Sequence, residues 1–344
     1  VDRRDIIVIG ASAGGVEALK ALVAGLPADF PASIFVVVHF PAYGTSFLPE
    51  ILSRAGRLPA LHPADGDPVR PGTIYVAPPD HHLLLGKDGT VRLSRGPREN
   101  GHRPSVDPLF RSAARAYGRR VVGVVLTGNL DDGTAGLSAV VRRGGTGVVQ
   151  DPADAAHPGM PSSALAYVRV EHTVTLAGLR ALLQRLVAEP IGDEAGRGDE
   201  RLEFETDIAE MDPYALHADD RPGKPSGFTC PECHGVLWEI QDDELVRFRC
   251  RVGHAYGAET LLAEQVDEVE AALWSAFQAL KERAAFARRM ARKMETRGSR
   301  LSRQRFIEQA AEADQRASVI REVLRGSGRH TLPSEVANAG EGME

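Results

Sequence analysis

The sequence predicts an α/β fold: a doubly wound, mostly parallel sheet with a β-hairpin excursion, followed by a small metal-binding module and a C-terminal helical hairpin. Three observations carry this. From residue 5 to about 188, strand-like apolar runs alternate with helical segments, the pattern of a sheet with helices on both faces. The first run, Ile6-Ile7-Val8-Ile9, is apolar without alternation and so fits a strand covered on both sides. All three cysteines fall together far downstream, in the spacing of a metal site rather than a disulfide framework.

The first run ends in Gly10-Ala11-Ser12-Ala13-Gly14-Gly15 and passes into a helical pattern over residues 16–22, so it reads as strand, tight turn and helix start. A dinucleotide turn would need glycine where Ser12 stands, and a P-loop would need a following Gly-Lys-Ser/Thr. The spacing Gly10, Ser12, Gly14 matches a nucleophile elbow, which sets a serine hydroxyl beside a helix N-terminus where negative charge is favoured. Further strands are expected at residues 34–38, 74–77, 121–126 and 147–150. Helices are expected at 48–55, 108–117, 134–143 and 176–187. Turn residues crowd residues 65–95, including Asp65-Gly66-Asp67, Pro71-Gly72 and Lys87-Asp88-Gly89, and predict the hairpin excursion.

A net charge of −6 on 344 residues is too mild to argue for nucleic acid or an anionic membrane as partner of the whole chain. No apolar stretch approaches a membrane span, no signal-peptide pattern precedes the first strand, and a cytoplasmic protein is expected. The expected organisation is a catalytic domain at 1–188, an acidic linker at 189–226, a zinc-binding module at 227–257, a helical hairpin or coiled coil at 258–326 and a disordered tail at 327–344. Within the linker, residues 208–216 read either as a short docking motif or as part of a solvated tether.

In open α/β sheets chemistry collects at the carboxyl ends of strands. Ser12 lies at one such end and His39, after Ile34-Phe35-Val36-Val37-Val38, at a second. Asp131 and Asp132 follow the strand at 121–126. A hydroxyl to attack, an imidazole to take its proton and a buried carboxylate to hold the imidazolium are the parts of a hydrolytic triad. Residue types alone leave other readings open: His39 as a satisfied core histidine, and Asp132 as a cap of the helix starting near Gly133-Thr134.

Six motifs occur in an order that resembles the catalytic domain of the chemotaxis protein-glutamate methylesterases (CheB). They are Ile7-Val8-Ile9-Gly10-Ala11-Ser12-Ala13-Gly14-Gly15, Val37-Val38-His39-Phe40-Pro41, the run at 71–82, Arg103-Pro104-Ser105-Val106-Asp107-Pro108-Leu109-Phe110, the run at 126–133, and Gly159-Met160-Pro161. The resemblance covers residues 5–188 and implies a Ser12, His39, Asp132 triad, with Asp131 as neighbour. It implies hydrolysis of γ-glutamyl methyl esters on a chemoreceptor or other signalling protein, with glutamine deamidation as a related activity and no catalytic cofactor. Backbone N–H groups of Ala13 and Asn129 are the candidate oxyanion donors. The chain starts at the first catalytic strand, so a stand-alone form without the family's receiver domain is expected. Val38, Asn129 and Ala13 stand where glutamine, methionine and threonine are common in the family, departures that ring the site without removing the triad.

Cys230-Pro231-Glu232-Cys233 and Cys250-Arg251-Val252-Gly253-His254 supply the Cys3His set that structural zinc favours, with every ligand position filled by protein. A redox Cys-x-x-Cys would be expected to open a helix, and His234 is an alternative ligand hampered by adjacency to Cys233. The island and the helix after it resemble a zinc-ribbon-like extension of some stand-alone methylesterase homologues. Leu262, Val266, Val269, Leu273, Ala276 and Leu280 predict a heptad seam, and Ile307, Ala310, Ala317, Ile320 and Leu324 a facing stripe. They would pair in a hairpin or in a homo-oligomeric coiled coil. The alternative functional class is a catalytically altered or inactive signalling scaffold whose C-terminal half binds a protein or nucleic acid. The arginines between 281 and 305 read as a solvated face, because aromatics for base stacking are scarce there, and no nucleic-acid partner is expected.

Overall fold

The computed structural model describes residues 3–40, 44–192, 199–217 and 222–327. In chain order the catalytic half runs β1 (Ile6–Ala11), α1 (Gly15–Val23), β2 (Ser33–Val38), α2 (Leu48–Ala55), β3 (Ala60–Leu61), β4 (Ile74–Val76), β5 (His82–Leu85), β6 (Val91–Ser94), α3 (Val106–Tyr117), β7 (Val121–Val125), α4 (Thr134–Arg142), β8 (Thr146–Gln150), α5 (Gly159–Tyr167), β9 (His172–Val174) and α6 (Leu176–Ala188). Seven strands form one sheet in the order β3-β4-β2-β1-β7-β8-β9, parallel throughout, while β5 and β6 pair antiparallel as the expected excursion.

The unbroken apolar run of β1 has a direct cause. Ile7, Ile9 and Ala11 point into a core beneath α1, α2 and α6, whereas Ile6 and Val8 point into a second core beneath α3, α4 and the hairpin. With period-2 alternation and a core on either side, every position must be apolar. Because the order of connections reverses around β1, its C-terminal end opens onto the crevice where α/β sheets place their chemistry.

The reading of residues 189–226 as an acidic linker is corrected over 199–217. There the chain forms α7 (Glu200–Ala209) and α8 (Pro213–His217). Asp199 caps α7 by accepting from the Leu202 N–H at 3.1 Å. Leu202, Ile208 and Ala209 are buried, and so is Glu205, so the segment packs as part of the fold. Its acids looked solvated because their partners lie far away in sequence. The docking motif at 208–216 resolves into the end of α7 and α8.

A four-stranded antiparallel sheet follows: β10 (Lys224–Thr229), β11 (Val236–Asp242), β12 (Leu245–Cys250) and β13 (Ala255–Gly257). Its small core gathers Cys230, Leu237, Phe248, Cys250, Tyr256 and Leu261. It belongs to one compact unit with the catalytic half, residues 1–263, rather than hanging from a tether.

The second unit, residues 264–344, contains α10 (Arg300–Ser327) and all but the first turns of α9 (Ala258–Thr296). The two helices form the expected hairpin, turning at Gly298. On α10 the predicted Ala310 and Ala317 are buried, whereas on α9 the buried seam differs from the predicted one. Ala284, Ala287 and Ala291 are buried, as are Ala310, Ala313 and Ala317, and Asp314 pairs with Lys281 at 3.2 Å and with Arg288. Leu262, Val266 and Val269 instead stand 57–64% exposed. Small alanines let the helix backbones approach closely, which the apolar periodicity alone does not reveal. The predicted tail at 327–344 lies outside the described residues but for Ser327.

Candidate active site

Ser12 and His39 are neighbours by construction. β1 and β2 are parallel with Ala11 opposite Val38, and each residue is the next along its strand, so strand spacing sets them side by side at the open end of the sheet. The Ser12 N–H donates to the Thr127 carbonyl at 3.0 Å, fixing the turn to the loop after β7. Two glycines make the turn possible. Gly14 sits at φ +76° as the N-cap of α1, and Gly128 approaches so closely that a Cβ there would lie 2.9 Å from the Ser12 Cβ and 2.1 Å from the Met160 Sδ.

Asp132 completes the group. His39 Nε2 and Asp132 Oδ2 are 2.7 Å apart, with side chains only 7% and 3% exposed. The same carboxylate accepts from Val106 N at 2.8 Å, Asp107 N at 3.2 Å, Ser105 Oγ at 2.9 Å and Asn100 Nδ2 at 2.9 Å. Asp132 therefore caps α3, not the helix that follows it in sequence. Burial pushes its carboxyl up, but the His39 hydrogen bond and charge, the Val106 N–H and the Asn100 amide together hold it well below the usual carboxylate range. Asp131 turns away, accepting from Glu259 N at 3.0 Å and from the Thr260 hydroxyl.

His102 stacks on His39 with ring centroids 3.8 Å apart. Burial and the neighbouring His39 push its pKa down to about 4, so it presents a neutral ring face. The Ala13 and Asn129 backbone N–H groups make no hydrogen bond among the described residues, which leaves both as donors. The sequence reading gave no role to Asn100 or His102, and quoted Ser105 only as part of a motif. The signal available for them was the dense polar run from Glu99 to Asp107, directly before an amphipathic helix.

Asp107 accepts from Gly136 N at 2.6 Å and Asn100 Nδ2 at 3.0 Å. Burial, then the charge of Asp132, push its pKa up to about 7. Between about pH 4 and 7 the native state thus holds a proton that the unfolded chain has released, so this group's contribution to stability falls as pH rises through that window. Asp132 acts with the opposite sign, but only below about pH 4. His102, pushed down to about 4, acts with the opposite sign between about pH 4 and 6.5, so the Asp107 decline is expected as the difference between wild-type and Asp107→Asn urea midpoints measured from pH 4 to 8.

The Cys3His set also assembles. Cys230, Cys233, Cys250 and His254 bring their ligand atoms within 4.8 Å of one another. The Cys233–Cys250 Sγ separation is 3.6 Å, and His254 Nδ1 lies 3.6 Å from both Cys230 and Cys250 Sγ. A tetrahedral ion at about 2.3 Å from sulfur gives edges of about 3.8 Å, so the residues fit a metal. His254 turns its other nitrogen to Glu232 at 3.1 Å, the outer contact that orients a ligating imidazole. His234 is not in the cluster.

The CheB methylesterase family model matches residues 7–183, more than half of the chain. The chain belongs to the CheB methylesterase family. It is 43% identical over 184 residues to a protein-glutamate methylesterase/protein-glutamine glutaminase of Anaeromyxobacter dehalogenans, covering 54% of each chain. A putative protein of the same name from Leptospira interrogans is 38% identical over 182 residues, 53% of this chain and 94% of that one. Thus the chain spans about half the length of the first relative and nearly all of the second. The crystal structure of the Thermotoga maritima CheB methylesterase catalytic domain matches with a TM-score of 0.52 and 35% identity, over 54% of this chain and all of that domain. The family model ends at residue 183, before the four-stranded module and the C-terminal helices. Among the described residues no helix is long and apolar enough to cross a membrane.

Proposed function

We propose that this chain is a serine hydrolase of the protein-glutamate methylesterase type, acting on γ-glutamyl methyl esters of a methylated chemoreceptor or other signalling protein. The observation that carries the reading is the 2.7 Å His39–Asp132 hydrogen bond beside a serine fixed in register with that histidine. Since Asp132 takes Nε2, Nδ1 is the nitrogen left for the serine. Ser12 Oγ attacks the ester carbonyl while His39 accepts its proton, and the Ala13 and Asn129 N–H groups receive the charge developing on oxygen. Collapse expels methoxide, which takes that proton from His39 and leaves as methanol. Water, deprotonated by His39, then releases glutamate and restores Ser12. With a glutamine substrate the same steps expel ammonia.

The relatives' printed names support the substrate class, and the α3 N-terminus supports the ionised Asp132 that the cycle needs. We assign the Cys3His site to zinc in a structural role, since its four ligands are all protein and leave no open position.

The test is labelling of the intact protein with a fluorophosphonate, read by intact mass. One adduct per wild-type chain, absent from Ser12→Ala and His39→Ala, is the expected result. Labelling that persists in Ser12→Ala, or none on the wild type, would overturn the assignment.

A further inference from the structure

Among the described residues, one side chain joins the metal module to the triad carboxylate. Immediately after the ligand His254, strand β13 runs along the loop before α3. Asn100 N donates to the Ala255 carbonyl at 2.7 Å, and Gly257 N donates to Asn100 Oδ1 at 2.8 Å. With its oxygen committed there, the amide turns its nitrogen to Asp132 Oδ1 at 2.9 Å and Asp107 Oδ2 at 3.0 Å. Asn100 is 4% exposed and sits at φ +51°, a conformation asparagine tolerates better than most residues. Gly257 permits the approach: a Cβ there would lie 2.1 Å from Asp131 Oδ2.

We propose that the Cys3His module is a brace for the triad, in which Asn100 is a positioning residue whose amide is oriented by β13, so that metal occupancy sets the geometry of the His39–Asp132 pair. This rests on the hydrolase and zinc readings above. The knuckle that would carry the metal is continuous with β13: Cys250 N donates to the His254 carbonyl at 2.9 Å and Gly253 N to the Cys250 carbonyl at 3.1 Å. Opening the site therefore frees the strand that aims Asn100. Without that donor Asp132 is neutralised less, attracts the His39 imidazolium more strongly and loses its fixed orientation.

Two forms of the full-length protein test this against the wild type: the chain stripped with EDTA, its released metal counted with a chromophoric indicator, and Asn100→Gly. Glycine tolerates the positive φ and deletes the whole side chain, both the donor to Asp132 and the acceptor from Gly257. Two readouts are taken, the pH profile of fluorophosphonate labelling at Ser12 and the titration of the His39 ring by NMR on histidine-labelled protein. The other titratable or charged groups around the pair are His102, Arg98, Asp107, Asp131 and Arg111, and all are present in each form.

The expected result is labelling slowed about tenfold or more in both forms, with the His39 midpoint moved up in both. Zn²⁺ re-addition restores the stripped chain, while Asn100→Gly keeps its metal and is not rescued. A metal-free chain with the wild-type rate and His39 midpoint would overturn the brace. So would Asn100→Gly matching the wild type, and that variant decides the matter if stripping unfolds the module. Should the wild type not label at all, the hydrolase reading fails, and the His39 titration still tests the brace.

Discussion

Asp132→Asn is expected to lower ester hydrolysis about 10⁴-fold while the fold persists, and the reason lies in the donors around that carboxylate. Oδ2 receives His39 Nε2 and Val106 N; Oδ1 receives Asn100, Ser105 and Asp107 N. An asparagine has one acceptor and must turn its NH2 group toward one of these sets. Facing the Oδ1 side it meets three donors. Facing the Oδ2 side it meets two, and one of them, His39, can relieve the clash by moving its proton to the other ring nitrogen. The variant therefore selects the tautomer in which the nitrogen meant for Ser12 is already protonated and no longer accepts.

Steady-state hydrolysis of an activated ester, with urea unfolding as the check on folding, measures the loss. Asp131→Asn is the control: its carboxylate faces Glu259 N and Thr260, not His39, so its loss should be far smaller. Equal losses in the two variants, or more than a tenth of wild-type activity in Asp132→Asn, would sink the assignment.

That comparison also marks where the sequence stops being legible. The β1 run announced a strand buried on both faces because each face has its own core. Ser12 and His39 were legible because strand ends in such a sheet are few. Choosing Asp132 over Asp131 required the family resemblance, since both follow the same strand and only the three-dimensional turn sends one to His39 and the other to α9. The Cys3His spacing was legible because thiolate knuckles are local.

Asn100 was not legible, because its partners come from residues 107, 132, 255 and 257 and no local pattern links them. The α9 seam failed for a related reason. Several heptad registers fit the same apolar residues, and the structure buries the alanine register that admits the closer helix approach.

The acids of α7 were the largest misreading, and Glu205→Ala is the variant that shows why. Glu205 is 1% exposed. It accepts from Arg247 Nη1 at 3.0 and 3.1 Å and lies 3.6 Å from Arg111 Nε and 3.8 Å from Arg249 Nε. Glu99 meets Arg111 Nη2 at 2.6 and 2.7 Å and Arg249 at 3.1 Å, and Asp242 meets Arg247. Three buried guanidiniums thus face three carboxylates, contributed by the catalytic half, α7 and the four-stranded module, and Asp242 also meets the part-exposed Arg201 and Arg142. Burial pushes the Glu205 carboxyl up, but Arg247, Arg249 and Arg111 hold it well below the usual range.

Truncation leaves three buried cations against two anions, and the expected cost is about 3–5 kcal/mol in chemical denaturation. A solvated tether would lose almost nothing, since isolated surface pairs contribute less than about 1 kcal/mol. The double variant Glu205→Leu with Arg247→Leu removes one charge of each sign and should cost less than Glu205→Ala alone. If it costs more, the network stabilises through each contact separately rather than through charge balance. The outcome bears on the site as well: α3 carries both Arg111 and the N–H groups that hold Asp132. Breaking the network should therefore slow Ser12 labelling even though Glu205 does not touch the triad.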